Sequence, residues 1–123
     1  MDAYFKSIVD MDRNTIIICD TNHTIIYMNP AAIKRYNGNH LIGKCVFDCH
    51  NSHSVEMIKK VMAWFEEDEN NNMIHTFYLE NKNKDLYMVA LRDENKKLIG
   101  YYERHELRDK EEAPAYDFSK SLV

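Results

Sequence analysis

Glycine is scarce in this chain, with only three among 123 residues. No Gly-rich loop is present to cradle a phosphate, and there is neither a Gly-x-Ser-x-Gly elbow nor a His-Glu-x-x-His helix. Catalysis therefore has little support, and the expectation is a non-enzyme. Cysteine is equally sparse: three copies are an odd number, and no extracellular context argues for a disulfide framework. No apolar run approaches the roughly 20 residues of a membrane span. Met1-Asp-Ala-Tyr-Phe-Lys places no basic flank before an apolar core, so no secretory signal is read. Together these absences predict a reduced, cytoplasmic protein. Positive charge is not in surplus either. The formal net charge is −4 and the basic residues are scattered, so a surface for nucleic acid is not expected.

What is present suffices for one folded domain. Apolar residues make up 45% and charged residues 29%, ordinary globular usage for a length that can bury a single core. The densest chemistry lies in nine residues, Cys45-Val-Phe-Asp-Cys49-His50-Asn-Ser-His53, which hold two of the three cysteines and two of the six histidines. Thiolates and imidazoles are the side chains that bind transition metals and haem iron.

Hydrophobic spacing outlines the elements. Tyr4, Phe5, Ile8 and Val9 form one apolar face of a short helix over residues 1–13. β-Branched runs at 15–20 and 24–28 flank a turn at Asp20-Thr-Asn-His23 and predict a hairpin. Asn29-Pro30 reads as an N-cap followed by proline at the first helical position, opening a helix over 31–36. Asn37-Gly38-Asn39 stops it. Val55, Ile58, Val61, Met62 and Phe65 mark one face of a longer helix, with Ser52 or Ser54 as cap. Glu66 to Asn72 is a solvated break without calcium-loop spacing. Strands follow at 73–80, 85–93 and 98–107, joined by turns at Asn81-Lys-Asn83 and Glu94-Asn-Lys96. Pro114 interrupts any helix in residues 108–123, which read as a flexible extension or interaction segment. Two adjacent strands, gathered helices and three further strands predict an α+β fold and not a parallel βαβ sheet.

Ile17-Ile-Cys-Asp20, Ile25-Ile-Tyr-Met-Asn29-Pro-Ala-Ala32 with Tyr36, Leu41-Ile-Gly-Lys44, and the stretch from Tyr87 to Tyr101 together resemble the PAS sensor family. The resemblance covers about residues 14–105. It implies a five-stranded antiparallel sheet in the order 2-1-5-4-3, helices over one face, and a cavity between them for a small molecule or cofactor. Residues 14–107 would be the sensor domain, 1–13 an N-terminal helical cap and 108–123 an extension. Cys49-His50 followed by a Ser-Val-Glu helix start is most similar to PAS modules attached to bacterial hemerythrin-like domains.

Haem leads the cofactor expectations. The resemblance implies an axial histidine on the long helix or the loop before it, where His50 and His53 stand, with Cys49 beside them. Val55, Ile58 and Met62 would supply the apolar pocket. Covalent haem is disfavoured because Cys45-x3-Cys49-His50 has one residue too many between its cysteines. Zinc on Cys45, Cys49, His50 and His53 is disfavoured because adjacent residues share one ion awkwardly. Gly43-Lys44-Cys45-Val46-Phe47 is similar to the flavin-binding segment of light-sensing LOV domains, but departs from it at several positions. Against all of these stands a structural role: Cys19 and Cys45 as small buried hydrophobes and the histidines as caps or surface groups. His23, His40, His75 and His105 read as ordinary residues, and Met88 or His75 could line a cavity if its strand face turns inward. The expected function is a PAS sensor of a small ligand that signals as a homodimer, through the face at Tyr4, Phe5, Ile8 and Val9, or through a protein partner. The alternative is a cofactor-free interaction module; a thiol-dependent enzyme comes third.

Overall fold

The computed structural model describes residues 2–116 and 119. Helix α1 (Ala3–Met11) starts at Asp2, whose carboxylate accepts from the Tyr4 N–H at 2.9 Å and so satisfies a donor that a helix start leaves unpaired. Strands β1 (Ile17–Asp20) and β2 (Ile25–Met28) form the expected antiparallel hairpin. In its turn the Asp20 carboxylate accepts from the Asn22 and Thr24 N–H groups at 2.9 and 3.0 Å.

Helix α2 (Pro30–Arg35) follows the Asn29 cap, with proline at its first position as the sequence predicts. A 3₁₀ turn (Val46–Cys49) leads into the long helix α3 (Ser52–Glu67). Its cap is neither Ser52 nor Ser54. Asn51 fills that place, its side-chain oxygen accepting from the Ser54 N–H at 2.8 Å. Asparagine ranks with the strongest caps, and standing one residue before the helix it reaches the third N–H.

Strands β3 (Met73–Leu79), β4 (Lys84–Arg92) and β5 (Leu98–Leu107) complete one sheet in the order β2-β1-β5-β4-β3, with every neighbour antiparallel. This is the α+β arrangement that the family resemblance implies. The registers Ile18↔Tyr102↔Val89 and Cys19↔Tyr101↔Ala90 divide the faces, because neighbouring residues of a strand point to opposite sides. The face carrying Cys19, Tyr101 and Met88 meets Ala32 of α2 and Ile58, Val61, Met62 and Phe65 of α3 in the core. Those four α3 positions are spaced as one helical stripe.

Arg92 ties the end of α3 to the sheet. Its guanidinium donates to the carbonyls of Phe65, Asp68 and Asn71 at 2.7, 3.3 and 3.2 Å, and so satisfies at Phe65 an acceptor that a helix C-terminus leaves unpaired.

Helix α1 buries none of its residues. It is held by its polar side: Lys6 contacts Asp10 at 2.6 Å, the Tyr27 hydroxyl donates to Asp10, and Asn29 Nδ2 donates to the Val9 carbonyl at 3.0 Å. Its apolar stripe consists of Tyr4, Phe5, Ile8 and Met11, each between 66% and 82% exposed. Val9, which the spacing places on that stripe, is half-buried on the side toward Asn29, and Met11 extends the stripe instead.

The extension over 108–123 lies partly outside the described residues. Its beginning is tied down, because Arg108 clasps Asp85 with two hydrogen bonds of 2.6 and 2.7 Å, and Asn83 Nδ2 donates to Asp109 at 2.8 Å. The Arg108 guanidinium beside Asp85 holds that carboxyl below its usual range.

Candidate functional site

A cavity of about 80 Å³ lies between the sheet and α3. Its apolar walls are Ile17, Val46, Ile58 and Met88, and its polar walls include Thr15, Tyr36, His50, Glu103 and His105. Cys19 and Tyr101 complete the lining. The strand period explains the concentration of polar groups. Tyr101, Glu103 and His105 alternate along β5, so all three turn toward the helices.

His50 is positioned by the 3₁₀ turn, its Nδ1 lying 2.8 Å from the Val46 carbonyl oxygen. A carbonyl only accepts, so Nδ1 carries the hydrogen, and in the neutral tautomer Nε2 is the nitrogen with the lone pair. His105 Nε2 lies 3.1 Å from a Glu103 carboxylate oxygen, while its buried Nδ1 has no hydrogen-bond partner among the described residues. Burial pushes the Cys19 thiol up to about 11, with Tyr101 opposing the shift through a hydrogen bond. Burial likewise raises Tyr101, the nearby Cys19 adding to it. Both groups are therefore neutral near pH 7, and Cys19 is no thiolate nucleophile there.

His23 forms an outer layer beyond Tyr101. Its Nδ1 sits 2.9 Å from the Tyr101 hydroxyl, and its ring packs on Phe47 with centroids 4.2 Å apart. Burial lowers its proton affinity, opposed by Asp20 and aided by Lys59. The folded state thus binds a proton on His23 less readily than the unfolded chain does, and stability falls as pH drops below the ordinary imidazole value of about 6.5. We expect the urea midpoint to decline between pH 7 and pH 5, and His23→Asn to flatten that decline. Asparagine suits the test because residue 23 has φ 65°, a left-handed conformation that Asn tolerates. Equal acid slopes for the two proteins would remove His23 from the account.

The cofactor residues expected from the sequence divide sharply. His50 and Ile58 line the cavity, whereas Cys49, His53, Val55 and Met62 do not. Cys49 and His53 are exposed, and the His53 ring meets Phe77 edge-on at 6.5 Å. Met62 belongs to the packed core. Of the two strand residues considered as possible cavity lining, Met88 lines it, while His75 faces the other side of the sheet and contacts Asp85 at 2.8 Å. Among the described residues no group of three or more His, Cys, Asp or Glu side chains could hold a metal ion. A porphyrin does not fit the cavity as it stands. Pockets for ligands of that size run to about 300–1,000 Å³. Tyr101, Glu103 and His105 are functional candidates that motif reading passes over, and their signal was the run of polar residues at alternate positions of a central strand.

A family model described as PAS domain matches residues 13–109. Among solved structures, the chain is similar to the C-terminal domain of a protein from Streptococcus mutans, with a TM-score of 0.64 and 16% identity over 83% of this chain and 81% of the other. The PAS domain of a protein from Colwellia psychrerythraea gives a TM-score of 0.62 at 18% identity, covering 84% and 92%. The PAS domain of Bordetella pertussis BvgS gives 0.58 at 10% identity, covering 87% and 85%. Comparison with curated proteins found no significant match. No helix of the described residues is long and apolar enough to cross a membrane.

Proposed function

The chain belongs to the PAS domain family, and we propose that within it this domain senses a small molecule in the cavity and transmits its presence by pairing with a second copy through α1. The observation that carries this reading is the reversed seating of α1. The helix spends its polar side on Tyr27 and Asn29 and presents Tyr4, Phe5, Ile8 and Met11 to solvent. A contiguous apolar stripe of that kind marks an interaction surface, and the same stripe on two copies is self-complementary about a two-fold axis.

The cavity and α1 have a physical connection. Thr15 and Ile17 line the cavity, and between them the Ile16 N–H donates to the Asn29 side-chain oxygen at 3.0 Å. The same Asn29 donates to Val9, Asp12 and Asn14 carbonyls at the end of α1 and just beyond it. A ligand that moves Thr15 or Ile17 acts on the seating of α1 through this one side chain. It shifts pairing only by its differential affinity for the paired and unpaired states.

Sedimentation tests the pairing. Wild-type protein is expected to dimerise at micromolar concentrations, and the double variant Phe5→Glu, Ile8→Glu to remain monomeric, melting with the wild type only at dilutions where that too is monomeric, since both side chains are exposed. A wild-type monomer at about 100 μM, well above the micromolar range expected for pairing, would sink the reading. The small cavity favours a second reading, in which the domain pairs without a ligand and its own core side chains fill the space. In that case small molecules leave the dimerisation constant unchanged.

A further inference from the structure

Resting on the sensing role just described, we propose that the cavity ligand is a short-chain primary ammonium of about three to five heavy atoms, with Glu103 and the free ring nitrogens of His50 and His105 as its acceptors.

The first argument is the direction of the hydrogen bonds. A carboxylate only accepts, so the His105 nitrogen beside Glu103, Nε2, carries the hydrogen. In the neutral tautomer this makes Nδ1 an acceptor, buried and unpartnered among the described residues, on a side chain nine-tenths buried. His50 arrives at the same state from the opposite tautomer: its Nδ1–H serves the Val46 carbonyl, and Nε2 keeps its lone pair. Two imidazoles of the lining therefore offer acceptors. A buried acceptor without a donor is costly, and a ligand bearing N–H groups relieves that cost.

The second argument is charge. Among the described residues that line the cavity there is a carboxylate, Glu103, and no lysine or arginine. Lys84, whose charge interacts with Glu103, lies outside the lining. A carboxylate or phosphate ligand would meet Glu103 without a lysine or arginine in the lining to offset it, whereas an ammonium finds an opposite charge there and has three N–H donors to distribute.

Size and wall chemistry set the remainder. The volume of about 80 Å³ is roughly half of the 150 Å³ cavity that accommodates benzene, which limits the ligand to a few heavy atoms. Ile17, Val46, Ile58 and Met88 suit a short alkyl chain.

Three probes of nearly equal shape separate the possibilities: n-propylammonium, propionate and 1-propanol. Each is titrated into the full chain while the ring signals of His50 and His105 are followed by NMR. The ammonium is expected to shift both rings saturably and to bind at least tenfold more tightly than propionate. Glu103→Gln, at a side chain 37% exposed, should weaken the ammonium tenfold or more and leave propanol within twofold. Tighter binding of propionate, or no effect of Glu103→Gln on the ammonium, overturns the ligand class and leaves the sensing role standing. No shift of cavity signals with any probe overturns the ligand class as well, while the pairing through α1 is judged by sedimentation. Should Glu103→Gln fail to fold, the comparison of three probes on the wild type still decides.

Discussion

Gly100→Ala is expected to lose at least about 3 kcal/mol of stability, a large share of the 5–15 kcal/mol that holds a domain together. A Cβ at this position would lie 2.2 Å from the Cys19 carbonyl oxygen and 3.3 Å from the Asp20 Cα. Both atoms are backbone, so no side chain can turn away to make room. Gly100 pairs with Asp20 of β1 and Leu91 of β4 in the middle of the sheet. Relief therefore requires β1 to separate from β5, and with it the wall of the cavity at Ile17 and Cys19. Gly43→Ala is the control. Gly43 has φ 90° but nothing within 4 Å of the added carbon, so it bears only backbone strain of about 1–2 kcal/mol. Urea unfolding of the two variants should rank them clearly, and a Gly100→Ala protein within 1 kcal/mol of wild type would refute the close approach.

Asn29→Asp should be more damaging than Asn29→Ala, although it is the closer match in shape. Asn29 is fully buried. Its oxygen accepts from the Ile16 and Ala32 N–H groups, both at 3.0 Å, and its Nδ2 donates toward the carbonyls of Val9, Asp12 and Asn14 at 3.0, 3.3 and 3.0 Å. Alanine removes the α2 cap and the α1 anchor and leaves buried groups unpaired, a loss of about 2–4 kcal/mol. Aspartate keeps the cap but sets an anionic oxygen against three carbonyl oxygens, with a penalty of about 4 kcal/mol or more. The sign of its pH dependence follows. The introduced carboxyl has a higher proton affinity in the folded state than in the unfolded one, so stability is regained as pH falls toward 5 and lost as it rises to 7.5. Chemical denaturation at those two pH values checks this, and an Asn29→Asp protein as stable as wild type at pH 7.5 would contradict the three-carbonyl geometry. The amide signals of α1 should also lose hydrogen-exchange protection in both variants, because Asn29, with Tyr27, joins that helix to the rest of the domain.

The framework was legible in the sequence, whereas the fold brings only part of the expected site, His50 and Ile58, into the cavity lining. The Asn29-Pro30 cap, the stripe at Ile58, Val61, Met62 and Phe65, and the three closing strands were all legible. Each depends on interactions within a few residues or on a strict hydrophobic period. The block from Cys45 to His53 drew attention by composition, yet the 3₁₀ turn and the start of α3 send its members in different directions. His50 enters the cavity, while Cys49 and His53 face solvent. Spacing in sequence is a poor guide where a turn passes into a helix, because each residue rotates the side-chain direction by about 100°.

Local chemistry along the chain was therefore enough to specify the main elements, the Asn29 cap and, through family resemblance, the sheet order 2-1-5-4-3. Three matters depended on long-range packing. Glu103 and His105 became site residues because β5 pairs between β1 and β4 and turns one face toward α3. The cavity drew its lining from β1, β4, β5, α3 and the 3₁₀ turn, which only packing brings together. The apolar stripe of α1 faces solvent because Tyr27 and Asn29, well along the chain, hold that helix by its polar side. Hydrophobic period reports that a face is apolar; whether it is covered, and by what, is set by residues the period does not contain.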